Sequence, residues 1–139
     1  MPSLSGLLGS SFTGPQGAQG TQGVQGVQGS VLSGVPQNSK SSPYELLATD
    51  VGKHIATSAN VIVPISVFSP GDTITIYNNS SVQISISKKS GQEANITMYL
   101  AGSSSNSTTR TLAERGLCTL LCIIGDSTPT FVIAGSGLT

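Results

Sequence analysis

The sequence predicts an all-β protein: an antiparallel β-sandwich or jelly-roll-like C-terminal domain, preceded by an extended collagen-like segment. Two observations carry the prediction. Beyond residue 44 the chain reads as short apolar runs that alternate with polar residues and are divided by clusters of Ser, Pro, Gly, Asn and Asp, which is the pattern of strands and turns. Before it, glycine falls at every third position through Gly14, Gly17, Gly20, Gly23, Gly26 and Gly29, with Gln16, Gln19, Gln22, Gln25 and Gln28 each standing just ahead of the next glycine. At 139 residues the chain has room for one ordinary domain and a tail.

Composition narrows the function classes. Only 9% of the residues are charged and the formal net charge is zero. No basic face for nucleic acid is therefore expected. The N-terminal MPSLSGLLGSSF lacks a basic region and its apolar run is short for an export signal, while no later stretch reaches the roughly 20 apolar residues of a membrane span. A soluble protein with no membrane insertion is the expectation.

Taken in order, residues 1–13 place Leu4, Leu7 and Leu8 among Ser and Gly, which suggests a short anchoring segment. Residues 14–30 form the glycine-periodic run, and two explanations compete for it. A flexible Gly/Gln linker needs no period of three. A collagen triple helix does, because every third residue faces a crowded axis that admits only hydrogen. Pro15 is the sole proline of the run, so imino-acid stiffness is missing and another part of the chain must hold three copies together. As a triple helix the run would extend roughly 50 Å at about 3 Å per residue.

Residues 31–43, polar and rich in Ser, Pro, Asn and Lys, read as a linker, and residues 44–139 as the β head and trimerisation domain. In DTITIYNN, Ile74 and Ile76 share a face, and in VQISISKK Val82, Ile84 and Ile86 do the same. These two runs are expected to form antiparallel strands joined by a turn at Asn78-Asn79-Ser80-Ser81. Further strands are expected at Val61 to Phe68, Asn95 to Leu100, Gly116 to Ile124 and Thr130 to Ala134, with turns at Ser69-Pro70-Gly71, Ser90-Gly91 and Asp126 to Pro129. Short strands at this spacing point to a sandwich or jelly roll.

LCTLLCII departs from simple alternation. Leu117, Leu121 and Ile123 on one face oppose Cys118, Leu120, Cys122 and Ile124 on the other, so both faces are apolar. Such a strand is either central in the core or packed against another chain, and it is the candidate trimer interface. Cys118 and Cys122 would lie about 13 Å apart along one strand, beyond disulfide reach, and are read as buried thiols.

Candidates for chemistry are sparse. His54, the sole histidine, would need Asp50 or Glu45 and a serine beside it to form a hydrolytic site, and a structural histidine is the better reading. Cys-x-x-x-Cys with one distant histidine lacks the ligand number of a zinc site, and the oxygen-rich Asn78 to Ser81 lacks the carboxylates of a calcium loop. Glu114, Arg115 and Arg110 read either as an interchain ion-pair set or as a solvated turn. The glycine run lacks the Lys of a phosphate loop. No catalytic, cofactor-binding or metal-binding residues are assigned, and no cofactor is expected. The polar loop from Ala101 to Arg110 reads either as a recognition surface or as a plain solvated connection. Three Tyr, three Phe and no Trp leave few aromatic platforms for sugar.

The Gly-x-Gln run followed by PYELLATDVGKHI, VFSPGDTITIYNNSS, MYLAGS, TLAERGLCTLLCI and FVIAGSGLT resembles virion structural proteins of tailed bacteriophages, especially those infecting cyanobacteria, over nearly the whole chain. That resemblance implies a homotrimeric virion part made in the host cytoplasm, with a collagen-like stem before a globular head at the particle surface. Its partners would be itself and, through the N-terminal segment, major capsid or tail proteins. The resemblance offers no catalytic motif. The short chain favours a capsid decoration or small head fibre, with a tail-fibre or adhesin module binding host-surface glycan or protein as the alternative.

Overall fold

The computed structural model describes residues 34–139. The anchoring segment 1–13 and the collagen-like run 14–30, with Gly14, Gly17, Gly20, Gly23, Gly26 and Gly29, lie outside the described residues. Nine strands make one sheet: β1 (Gln37–Lys40), β2 (Tyr44–Glu45), β3 (His54–Thr57), β4 (Val61–Val63), β5 (Thr73–Asn78), β6 (Ile84–Lys88), β7 (Thr97–Leu100), β8 (Thr109–Ile124) and β9 (Thr130–Leu138). Single 3-10 turns at Ala48–Asp50 and Glu93–Asn95 interrupt them.

The domain is all-β, but its connectivity is not that of an antiparallel sandwich. β3 runs parallel to both β1 and β5, and β4 runs parallel to both β2 and β6. The chain thus alternates between two stacks of parallel strands, β1-β3-β5 and β2-β4-β6, winding instead of folding back as hairpins. Strand β8 closes both. Its residues Leu117 to Leu121 run antiparallel to β5, and Thr109 to Leu112 run antiparallel to β6. On its other edge β8 takes β9 antiparallel, and β9 takes β7 parallel.

The hairpin expected at Asn78-Asn79-Ser80-Ser81 is replaced because Asn78 is wholly buried and bonds to β8. Its Nδ2 donates to the Val82 carbonyl (2.7 Å), to Leu112 O (3.3 Å) and to Ala113 O (2.9 Å), while its Oδ1 accepts from Ser80 Oγ at 2.7 Å. The connection is thereby fastened to β8, which enters between β5 and β6. A register shift between Leu112 and Leu117 bends β8 from one stack to the other, with Arg115 in the left-handed region at φ 56. Arg115 N–H donates to Ser80 O (3.3 Å) and Nη1 to Asn79 Oδ1 (3.1 Å), so the bend and the connection hold each other.

Alternation of side chains builds the core between the stacks. Ile74 and Ile76, Ile84 and Ile86, Cys118 with Leu120 and Cys122, and Phe131 with Ile133 all turn inward. Each large side chain so buried contributes about 1.5–3 kcal/mol. Phe131 meets Phe68 edge to face with ring centroids 6.0 Å apart.

Several expected boundaries move. Val82 is exposed, in the connection before β6, not on the face of Ile84 and Ile86, because its carbonyl serves Asn78 and Ser80. The strand expected at Val61 to Phe68 ends at Val63, where Pro64 has no N–H to offer a ladder. Residues 37–40, inside the stretch read as linker, form β1. Part of what draws them in is Asn38, whose Nδ2 donates to the wholly buried Asp50 at 2.8 Å. The Asp50 carboxylate also accepts from Tyr44 OH and from Leu47 N–H, each at 2.8 Å.

Candidate functional site

Strand β8 sorts its apolar residues by alternation. Cys118, Leu120 and Cys122 point inward and belong to the protomer's own core. Leu117, Thr119, Leu121 and Ile123 point outward, with Leu117 50% and Ile123 44% exposed. Ile124, expected on the face of the cysteines, is 53% exposed, because the register of β8 on β9 shifts between Cys122 and Ile124. Of the residues assigned to an interchain contact, Leu117, Leu121, Ile123 and Ile124 therefore remain accessible, and Cys118, Leu120 and Cys122 do not.

The cross-strand register extends this stripe into a face. Thr73 of β5 opposes Leu121, Leu121 opposes Val132 of β9, and Val132 opposes Tyr99 of β7. The next outward row is Thr75, Thr119 and Ala134, and the one beyond it is Tyr77, Leu117 and Ser136. On the far side of β5, His54 of β3 pairs with Thr75, and Gln37 of β1 with His54. The residues that β1, β3, β5, β7, β9 and the C-terminal half of β8 turn outward are Thr, Ser, Gln, Ala, Leu, Ile, Val and Tyr. His54 stands among them as the one histidine. A face without Asp, Glu, Lys or Arg can be covered by another surface with no charge to desolvate, and its exposed apolar cluster is of the kind that marks contact sites.

The residues considered for hydrolysis are turned to separate tasks. His54 Nε2 lies 2.9 Å from Gln37 Oε1 across the β1–β3 pair. Asp50 is held by Asn38, Tyr44 and Leu47 N–H, and Glu45 pairs with Lys89 at 3.1 Å. Burial, and then the Asp50 hydrogen bond, raise the Tyr44 phenol above its ordinary value. Burial pushes the Cys118 thiol up to about 12, and burial followed by the Asp72 charge raises that of Cys122, so neither is a nucleophile at neutral pH. Both cysteines are unbridged, in agreement with the strand spacing. Among the described residues no three of His, Cys, Asp and Glu gather as a metal site, and no helix is long and apolar enough to cross a membrane.

Glu114 and Arg115 lie exposed at the bend of β8, whereas Arg110, grouped with them in the sequence, is buried at 4% exposure. Its contacts come from β7 and the 101–108 loop, which no local pattern could have named. The loop itself has an open hollow beside it, lined by Tyr99, Leu100, Ala101, Gly102, Ser103, Ser104 and Val132. No family profile, curated protein or solved structure matches this chain.

Proposed function

We propose that the chain is a structural component of a phage virion: a homotrimeric surface protein, a capsid decoration or short head fibre, whose residues 1–13 anchor it to capsid or tail proteins. Residues 14–30 act as a collagen-like stalk, supported by the unbroken period of three, and the β domain is the projecting head that holds three copies together. The observation that carries the reading is the uncharged outward face centred on Leu117, Leu121 and Ile123, which joins copies without burying a charge. Immunogold electron microscopy with antibodies to residues 34–139 tests the location. Labelling at the surface of intact particles is the expected result, and absence of the chain from purified particles contradicts it.

The hollow beside Tyr99 favours a second reading, in which the head binds host-surface glycan or protein there. Glycan-array binding lost on Tyr99→Ala would support this second reading, and an array with no signal would remove its glycan arm.

A further inference from the structure

Two cations are taken into the protein interior. Arg110 on β8 is 4% exposed and Lys88 at the end of β6 is 7% exposed. Arg110 stands opposite Ile86, which places Lys88 diagonally across from it on the same inward face. The surroundings are apolar: Val63, the register partner of Lys88, is wholly buried, and so is Met98.

Their hydrogen-bond partners are all neutral. Arg110 Nη2 donates to the carbonyls of Met98 (3.3 Å) and Ser105 and to Ser105 Oγ (3.3 Å). Lys88 Nζ donates to Asn106 Oδ1 at 2.8 Å. Arg110 Nε is buried and has no hydrogen-bond partner among the described residues. Burial, and next the adjacent guanidinium, lower the pKa of Lys88, while the charge of Glu93 opposes them.

Buried charges are ordinarily paired, yet no carboxylate of this chain pairs with these two. The sequence has six acidic residues. Glu45 pairs with Lys89, and Asp50 is enclosed by its own donors. Asp72 accepts from Ser69 N–H and Glu93 from Gly91 N–H. Neither these nor Glu114 and Asp126 come within ion-pair distance of Lys88 or Arg110. Residues 1–33 contain no Asp or Glu, so the segment outside the described residues has no acidic side chain to supply.

We propose that Lys88 and Arg110 form a binding site for a small oxyanion of the phosphate or sulfate class, which accepts hydrogen bonds from Arg110 Nε and Lys88 Nζ beneath the Ser105–Asn106 segment. A guanidinium edge and an ammonium are the donors that such an anion takes, and the orphaned Nε is the donor it satisfies. Ser105 and Asn106, which bond to the pair, belong to an exposed stretch from Ser103 to Asn106, the solvent side of the site. The site does not depend on assembly or on the virion reading.

Thermal unfolding of the full chain, dialysed free of phosphate and sulfate, tests this against sodium phosphate and sodium chloride at matched ionic strength. The expected result is a saturable rise in Tm with phosphate alone, about 5 °C at ten times the half-saturating concentration. Lys88→Met keeps the apolar stem and should abolish the phosphate-specific rise, whereas Arg115→Met, which removes an exposed cation of the same strand, should retain it. Equal responses to phosphate and chloride, or an unchanged phosphate response in Lys88→Met, overturn the proposal. Should Lys88→Met fail to fold, phosphorus-31 NMR of phosphate with the wild-type chain decides. Line broadening relieved by sulfate but not by chloride supports the site, and an unbroadened line overturns it.

Discussion

Asp50 lies beneath the first coil of the domain, where a carboxylate with no exposed surface joins β1, β2 and the 3-10 turn through Asn38, Tyr44 and Leu47 N–H. Replacing it by Ala removes the shared acceptor of the partly buried Asn38 amide and Tyr44 hydroxyl and of Leu47 N–H, so Asp50→Ala should lower unfolding stability by about 3 kcal/mol in urea denaturation. Cys118 makes a pH-dependent prediction. Its thiol rises from 9.0 unfolded to about 12 folded, so above pH 9 the unfolded chain releases a proton that the folded chain keeps. This contribution to stability is full below pH 9 and is lost toward pH 12, at up to about 1.4 kcal/mol per pH unit. Cys118→Ala should therefore unfold with a shallower alkaline decline than wild type when both are titrated from pH 8.5 to 10.5. The inward pairs Ile74/Ile76 and Ile84/Ile86 and the buried thiols were legible, because period-two alternation is a local signal. The burial of Asp50, Asn78 and Arg110 was not, since their partners come from other strands.

At the scale of elements, the strand-rich character and the runs at β5, β6, β8 and β9 were readable, but the pairing was not. An Asn-Asn-Ser-Ser stretch between two alternating runs carries the local chemistry of a hairpin. Only tertiary contacts decide that β8 enters between β5 and β6 and that the two stacks run parallel. The length of β8 was also hidden, because Glu114 and Arg115 look like a turn, whereas a bulge carries the strand through them. The close approach of β9 to β8 makes a further prediction. A Cβ at Gly135 would enter the space of the Leu117 carbonyl and of Cys118, backbone atoms that cannot swing away. Gly135→Ala should cost about 3 kcal/mol or more by the same denaturation measurement, with loss of the sheet signal in circular dichroism at lower temperature. Gly71→Ala offers a contrast, since a Cβ there meets open space and only its positive φ of 97 is strained.

For the whole molecule, a two-stack domain with an uncharged outer face is preceded by a glycine-periodic run in a sequence of low charge. A period of three is legible without any structure, because it is a spacing along the sequence itself. The sorting of LCTLLCII into buried and outward residues needed the fold. With one face assigned to each set, Leu117 and Ile123 can be changed without touching the core. The trimer reading also expects the full chain to show a collagen-like circular dichroism signal that melts apart from the β domain. A single melting transition with only sheet signal would leave residues 14–30 as an extended arm.

Joining of copies through the outward face of β5, β8 and β9 is tested most directly by multi-angle light scattering of the full wild-type chain beside the double variant Leu117→Lys/Ile123→Lys. Wild type at the mass of three chains and the variant at the mass of one, with matching far-ultraviolet circular dichroism, is the expected result. A single-chain mass for wild type, or an undiminished trimer in the variant, would contradict it.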